Sequence, residues 1–171
     1  MKNSTLLFAL FFSLQACSYA ISPAARDKAD QTISFEMLRS DPDLYTGKMV
    51  ILGGTIAETT ELQLGTLIQV MQKQLDYWGK PTRTNRTGGP FLVYYPGYLN
   101  ALAYAPGREI TVAGEIAGTQ LKLSKELSKS YQHPVLVSKE LKLWERTRSR
   151  NDPQSWDPLQ GPVRIPVQQQ Y

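Results

Sequence analysis

The chain has little of the side-chain chemistry on which enzymes and small secreted scaffolds depend. Among 171 residues there is one cysteine and one histidine. A single thiol cannot form an intramolecular disulfide. One Cys and one His cannot supply the three or four ligands of a zinc site. Charge of either sign is also modest. Nineteen Lys and Arg against fifteen Asp and Glu leave a formal net charge of +4. That falls well short of the basic surplus expected of a nucleic-acid binder, and no nucleic-acid partner is expected. What is present is apolar: 42% of residues are hydrophobic and 20% charged, enough to pack one ordinary domain.

The first residues read MKNSTLLFALFFSLQAC. Lys2 gives a short positive start, Leu6 to Leu14 is a nearly unbroken apolar run, and Ala16 precedes Cys17. This is the layout of a secretory signal peptide. The run is too short to span a bilayer, which takes about 20 apolar residues. A buried N-terminal helix is the plainer alternative, but no polar face can be drawn on the run. Leu14-Gln15-Ala16-Cys17 resembles the lipobox of bacterial lipoproteins, with Gln15 where a small or β-branched residue is usual. The resemblance implies cleavage before Cys17 and a diacylglycerol on its sulfur, with palmitate-type acyl chains. It gives the lone cysteine a purpose; the alternative is an ordinary secretion signal with a chance Cys. Ser18 follows, where an Asp would imply inner-membrane retention, so the resemblance implies outer-membrane sorting. Loss of Lys2 with the signal peptide would take the charge from +4 to +3.

Residues 17–32 are small and polar (CSYAISPAARDKADQT) and read as a flexible lipidated tether. Order is expected over 33–146. Ser34 can cap a short helix whose Phe35 and Leu38 face one way. Strands are expected at Lys48–Glu58, Thr66–Leu75, Phe91–Tyr95 and Arg108–Gly118. Two more follow: a hairpin partner from Leu121, where helix is a rival, and Val135–Trp144. Gly53-Gly54 suggests a bulge or barrel corner. Ile110, Val112 and Ile116 should share one face, and Val135, Val137, Leu141 and Leu143 another. Gly79–Pro90 is dense in turn residues and reads as the longest loop. Residues 147–171 hold Pro and Gln in quantity and read as an extended tail. About six short strands with no strand–helix alternation argue for an all-β fold. The specific expectation is a small antiparallel, OB-like, partly open β-barrel with a short N-terminal helix.

The ordered segments resemble the Slp family of Gram-negative outer-membrane lipoproteins. The matching pieces are Asp41-Pro42-Asp43-Leu44-Tyr45-Thr46-Gly47-Lys48, Leu52-Gly53-Gly54-Thr55-Ile56, Gly79-Lys80-Pro81, Gly107 to Gly114, and Tyr131-Gln132-His133-Pro134-Val135 to Trp144. Gly89-Pro90 stands where members often have Gly-Arg, and residues beyond Trp144 find no counterpart. The resemblance implies an outer-membrane location and a β-barrel-like domain and carries no catalytic residues; together with Cys17 it leads to the expectation of a lipid-anchored, periplasm-facing protein.

The residues themselves point the same way. His133 is the one conventional general base, with no nucleophile elbow to serve. Asp41/Asp43 and Glu58/Glu61 read as turn and strand residues, not acid–base pairs. The chain is therefore expected to be no enzyme and to take no cofactor or metal. Trp78 and Tyr94, with Arg83 and Arg86 in the adjoining loop, are the candidate contact residues. On a barrel face they would bind a glycan or peptidoglycan fragment; the alternative is that the rings fill the core. The leading expectation is a non-catalytic structural or interaction module of the cell envelope, with an envelope protein or a glycan as its partner.

Overall fold

The computed structural model describes residues 19–122 and 128–145, with 120–122 and 128–130 described by backbone alone. Leu14, Ala16, Cys17, Ser18 and the 147–171 segment lie outside these residues.

Among the described residues five strands form the domain: β1 (Met49–Leu62), β2 (Gly65–Gln72), β3 (Pro90–Tyr95), β4 (Glu109–Lys122) and β5 (Ser128–Leu143). They close in the order β1-β2-β3-β5-β4 into a barrel. All neighbours are antiparallel except β3 and β5, which run parallel over Leu92–Tyr94. This is a small all-β barrel of OB type, closed where a partly open one was expected. The chain does not turn back at Gly118-Thr119. Gly118 adopts φ +72°, and the β4/β5 register shifts on both sides of it, but β4 runs on to Lys122. The start of the expected partner strand at Leu121 thus belongs to β4, residues 123–127 lie outside the described residues, and the returning strand is β5 from Ser128.

Side-chain alternation puts Ile56, Ile68, Val70, Phe91, Val93, Ile110, Val112, Ile116 and Leu136 inside, all essentially inaccessible. The face shared by Ile110, Val112 and Ile116 is as the sequence implied. The expected face on β5 is not. Ala113 pairs with Glu140 and Gly114 with Ser138, so Lys139 is an extra residue on β5. One extra residue reverses the alternation. Leu141 and Leu143 therefore face the main core, as Leu136 does, while Val135 and Val137 join an outer cluster with Leu92 and Tyr94.

The glycine pair behaves differently from a corner. The β1 bulge lies later, between Ile56 and Glu58. A Cβ on Gly54 would lie 2.0 Å from the carbonyl oxygen of Met71. Gly54 thus lies where β2 approaches β1 too closely for any side chain, and a Cβ on Gly53 would meet the Ile110 carbonyl oxygen of β4 at 2.7 Å.

Two helices of six residues precede the barrel: α1 (Pro23–Lys28) and α2 (Phe35–Ser40). Neither is long enough to be stable alone in water. In α2, Ser34 accepts a hydrogen bond from the Met37 N–H at 3.2 Å. Phe35 then packs edge-on against Phe91 with ring centres 5.9 Å apart, and Leu38 is fully buried. Burial of each such side chain contributes about 1.5–3 kcal/mol, and that tertiary gain is what holds the helix.

The 17–32 stretch is not a free tether in its described part. Ser22 caps α1, and Ala20, Ile21 and Ala25 are buried against Ala113, with Met49, Ile51 and Trp144 around them. The Ala20 N–H donates to the Trp78 carbonyl at 3.0 Å, and the Asp30 N–H to that of Met49 at 2.7 Å. Small residues let this segment lie flat on the barrel, so low hydrophobicity concealed a packed strap.

Candidate functional site

The Lys73–Gly89 connection between β2 and β3 carries two exposed aromatic residues, Tyr77 and Trp78. A tight turn shapes it. The Asp76 carboxylate accepts from the backbone N–H groups of Trp78 at 2.9 Å and Lys80 at 2.8 Å. Gly79 takes φ +80°, where a non-glycine residue would be strained. The turn is pinned to the barrel by the Thr111 hydroxyl, which donates to the Gly79 carbonyl at 2.6 Å. The Trp144 indole in turn donates to the Thr111 oxygen at 3.0 Å.

This turn holds Tyr77 and Trp78 against Tyr19 of the strap. Ring centres are 5.3 Å apart for Tyr19 and Tyr77, 5.4 Å for Tyr19 and Trp78, and 5.1 Å for Tyr77 and Trp78. Such tilted and edge-on pairs are the favourable aromatic geometries. The Arg26 guanidinium lies 3.9 Å from the Tyr19 ring centre. A hydrogen bond with Tyr77 is the main cause holding the Tyr19 phenol above its ordinary pKa; burial adds to it and Arg26 opposes it. Despite this packing, Tyr77 remains 75% exposed and Trp78 43%. A groove of about 580 Å³ runs beside the cluster, lined by Tyr19, Ile21, Arg26, Leu75, Tyr77 and Trp78 among others.

The other candidate residues are elsewhere. Tyr94 is only 7% exposed and belongs to the outer apolar cluster. Its hydroxyl donates to the Leu64 carbonyl at the β1–β2 hairpin, the opposite end of β2 from Trp78. Burial raises its phenol pKa. Tyr94 is thus a packing residue, and Trp78 and Tyr94 do not share a face. Arg83 and Arg86 are exposed. Their side chains make no hydrogen bond, ion pair or ring contact among the described residues. The contact site expected from Trp78, Arg83, Arg86 and Tyr94 is not assembled. Sequence reasoning missed Tyr19 and Arg26; their closeness to Cys17 in the chain was the available signal.

Ligands of OB barrels bind across β2 and β3 and the loops beside them. Here that surface is a narrow groove of about 270 Å³, lined by Glu58, Leu67, Gln69, Leu92, Tyr131 and His133 among others. Neither Lys nor Arg is in its lining, and Glu58 is. A third cleft, of about 690 Å³, lies under α1. Several of its polar groups are paired, some to the strap and some between strands. Glu140 accepts from the Ser22 N–H at 2.9 Å and the Ser22 hydroxyl at 2.8 Å, and Lys139 pairs with Glu115 at 3.1 Å. The candidate carboxylates are used in the same way. Asp41 caps Leu44, and Asp43 accepts from the Thr119 N–H at 2.7 Å.

The barrel turns apolar side chains inward, the reverse of barrels that cross a membrane, whose outer band is apolar and lumen polar. Among the described residues, no helix is long and apolar enough to cross a membrane.

These features define a small inward-packed barrel with an N-terminal strap packed along its side. The pattern of the outer membrane lipoprotein Slp family matches residues 14–170, and the chain belongs to that family. The match continues through the C-terminal segment, for which no counterpart was expected. The chain is 27% identical over 121 residues to the outer membrane protein Slp of Escherichia coli K12. That match covers 70% of this chain and 64% of the relative, just under two thirds of its length. Family and relative both indicate the outer membrane. Among solved structures, the mitochondrial single-stranded DNA-binding protein Rim1 of S. cerevisiae shows a TM-score of 0.34 at 16% identity. It covers 56% of this chain and 92% of that one, a likeness too loose to argue from.

Proposed function

We propose that the protein is held in the outer membrane by acyl chains on Cys17, after removal of residues 1–16 as a signal peptide. It presents its barrel to the periplasm as a non-catalytic structural or interaction module. The observation that carries this reading is the packing on the barrel of the residues that begin two positions after Cys17. Tyr19 packs on Tyr77 and Trp78, and Ile21 is 2% exposed, so a force holding Cys17 holds the barrel directly. Two or three acyl chains, at about 0.8 kcal/mol per buried methylene, make such a hold nearly permanent. The non-catalytic part is supported by the use of Asp41, Asp43, Asp76 and Glu140 in capping and strapping bonds. Leu64 and Tyr98, exposed at the far end of the barrel, offer an apolar contact for an envelope protein.

The test is fractionation of cells making the wild-type chain or Cys17→Ser, with protease added to intact and to permeabilised cells. The expected result is outer-membrane recovery that Cys17→Ser loses, with cleavage only after permeabilisation. A Cys17→Ser protein that stays with the membrane would overturn the anchor. Cleavage in intact cells would overturn the orientation.

A further inference from the structure

The cluster of Tyr19, Tyr77 and Trp78 is exposed beyond what its packing needs. Three rings in mutual contact, with a guanidinium on one of them, still leave Tyr77 three-quarters open. Trp and Tyr are the side chains that settle at the membrane–water interface, where an amphipathic ring has one apolar and one wet side. The chain also fixes where this cluster lies relative to a lipid on Cys17. Tyr19 is two residues beyond Cys17, and two residues reach at most about 7 Å. The headgroup region on one side of a bilayer is itself about 5–7 Å deep. A lipidated Cys17 at the base of that layer therefore keeps Tyr19, and the rings stacked on it, within or just above the headgroups.

We propose that Tyr19, Tyr77 and Trp78 form an interfacial foot that seats the barrel in one orientation on a phospholipid headgroup surface. This deepens the reading above and rests on lipidation of Cys17. Arg26, on the Tyr19 ring, and Lys80, 5.4 Å from the Trp144 ring centre, present cations beside the foot to lipid phosphates. The nearby Asp76 carboxylate is engaged by the Trp78 and Lys80 N–H groups, which limits its repulsion of an anionic surface. The foot lies beyond the Gln72 end of β2, and the β1–β2 hairpin tip at Gln63-Leu64 lies beyond the other. An eight-residue strand at about 3.3 Å per residue separates the two ends. The barrel thus stands on the membrane with Leu64 directed away from it, and the strap works as a rigid link instead of a spacer.

The experiment uses the full lipidated chain in vesicles of phosphatidylethanolamine with a minor share of phosphatidylglycerol. Cys17 is the sole cysteine and is blocked by its lipid, so one added cysteine is the only free thiol. Nitroxide labels are placed by Tyr77→Cys or by Gln63→Cys, both at exposed positions. Collision with dissolved oxygen and with a water-soluble nickel chelate is then measured. The expected result is a several-fold loss of nickel collisions at position 77, with oxygen collisions kept, and full nickel access at position 63. Equal water access at both positions would overturn the foot; shielding at both would overturn the orientation. Protein that does not float with the vesicles would defeat the anchor reading instead, which separates the two failures. A second measurement needs no substitution. Amide exchange in residues 74–80 should slow on vesicles relative to unlipidated Cys17→Ser protein, while residues 62–66 stay unchanged. Unchanged exchange in 74–80 would overturn the proposal.

Discussion

Ile21→Ala tests whether the strap is part of the fold. Ile21 is 2% exposed and lies among Ala20, Ala25 and Ala113, with Met49, Ile51 and Trp144 around it. The substitution removes three carbons. At about 0.8 kcal/mol for each buried carbon, the transfer loss is about 2.4 kcal/mol. Core substitutions of this kind cost about 2–5 kcal/mol, the excess over transfer reflecting the cavity left behind. The strap lies at the periphery and can partly collapse into the gap, so the lower end applies: about 2–2.5 kcal/mol. The assay is urea unfolding of the unlipidated Cys17→Ser domain with and without Ile21→Ala, followed by circular dichroism, with limited proteolysis alongside. The midpoint should fall with little change of slope, and the first proteolytic cut should move into residues 19–31. A loss under about 0.5 kcal/mol, the size of an ordinary surface substitution, would show that Ile21 is not packed in the folded chain. It would mean that the strap is detached in solution and that Cys17 is linked to the barrel only loosely.

Three further outcomes follow from the same packing. Gly54→Ala brings a Cβ within 2.0 Å of the Met71 carbonyl oxygen, so β2 must move; a loss of about 3 kcal/mol is expected by thermal or urea unfolding, and a near-neutral result would contradict the close approach. Asp43→Ala removes the acceptor for the Thr119 N–H and hydroxyl at an exposed site; a loss of about 1 kcal/mol is expected, with faster amide exchange at Thr119. Burial raises the phenol pKa of Tyr94, Tyr104 and Tyr131. The unfolded chain then ionises first, near pH 10, so this stability is complete below about pH 10 and is lost as pH rises through the folded values. Alkaline titration of urea midpoints should show that decline, shallower in Tyr94→Phe; a flat profile to pH 12 would count against it.

Local features were the legible ones. Ser34 as a cap with Phe35 and Leu38 on one side of α2, and the alternating inward face of β4, depend on residues a few positions apart. The β5 face was not legible, because one extra residue at Lys139 reverses alternation and leaves no mark in composition. The strap was not legible either. Its buried residues are mainly alanines, which signal packing only when the surface beneath them, here Ala113 and Ile51, is known. The candidate site failed for a related reason. Tyr94 and Trp78 look alike in sequence, yet one is paired across β2 and β5 and the other sits on a turn. Trp78 finds Tyr19 only through a contact spanning most of the N-terminal half of the chain.

Intact-mass and N-terminal peptide analysis of protein purified from outer membranes reads the state of Cys17 itself. The expected result is a mature chain beginning at Cys17 and carrying the added mass of a diacylglyceryl group with an amide-linked acyl chain. A chain beginning at any other residue, or an unmodified Cys17, would contradict it.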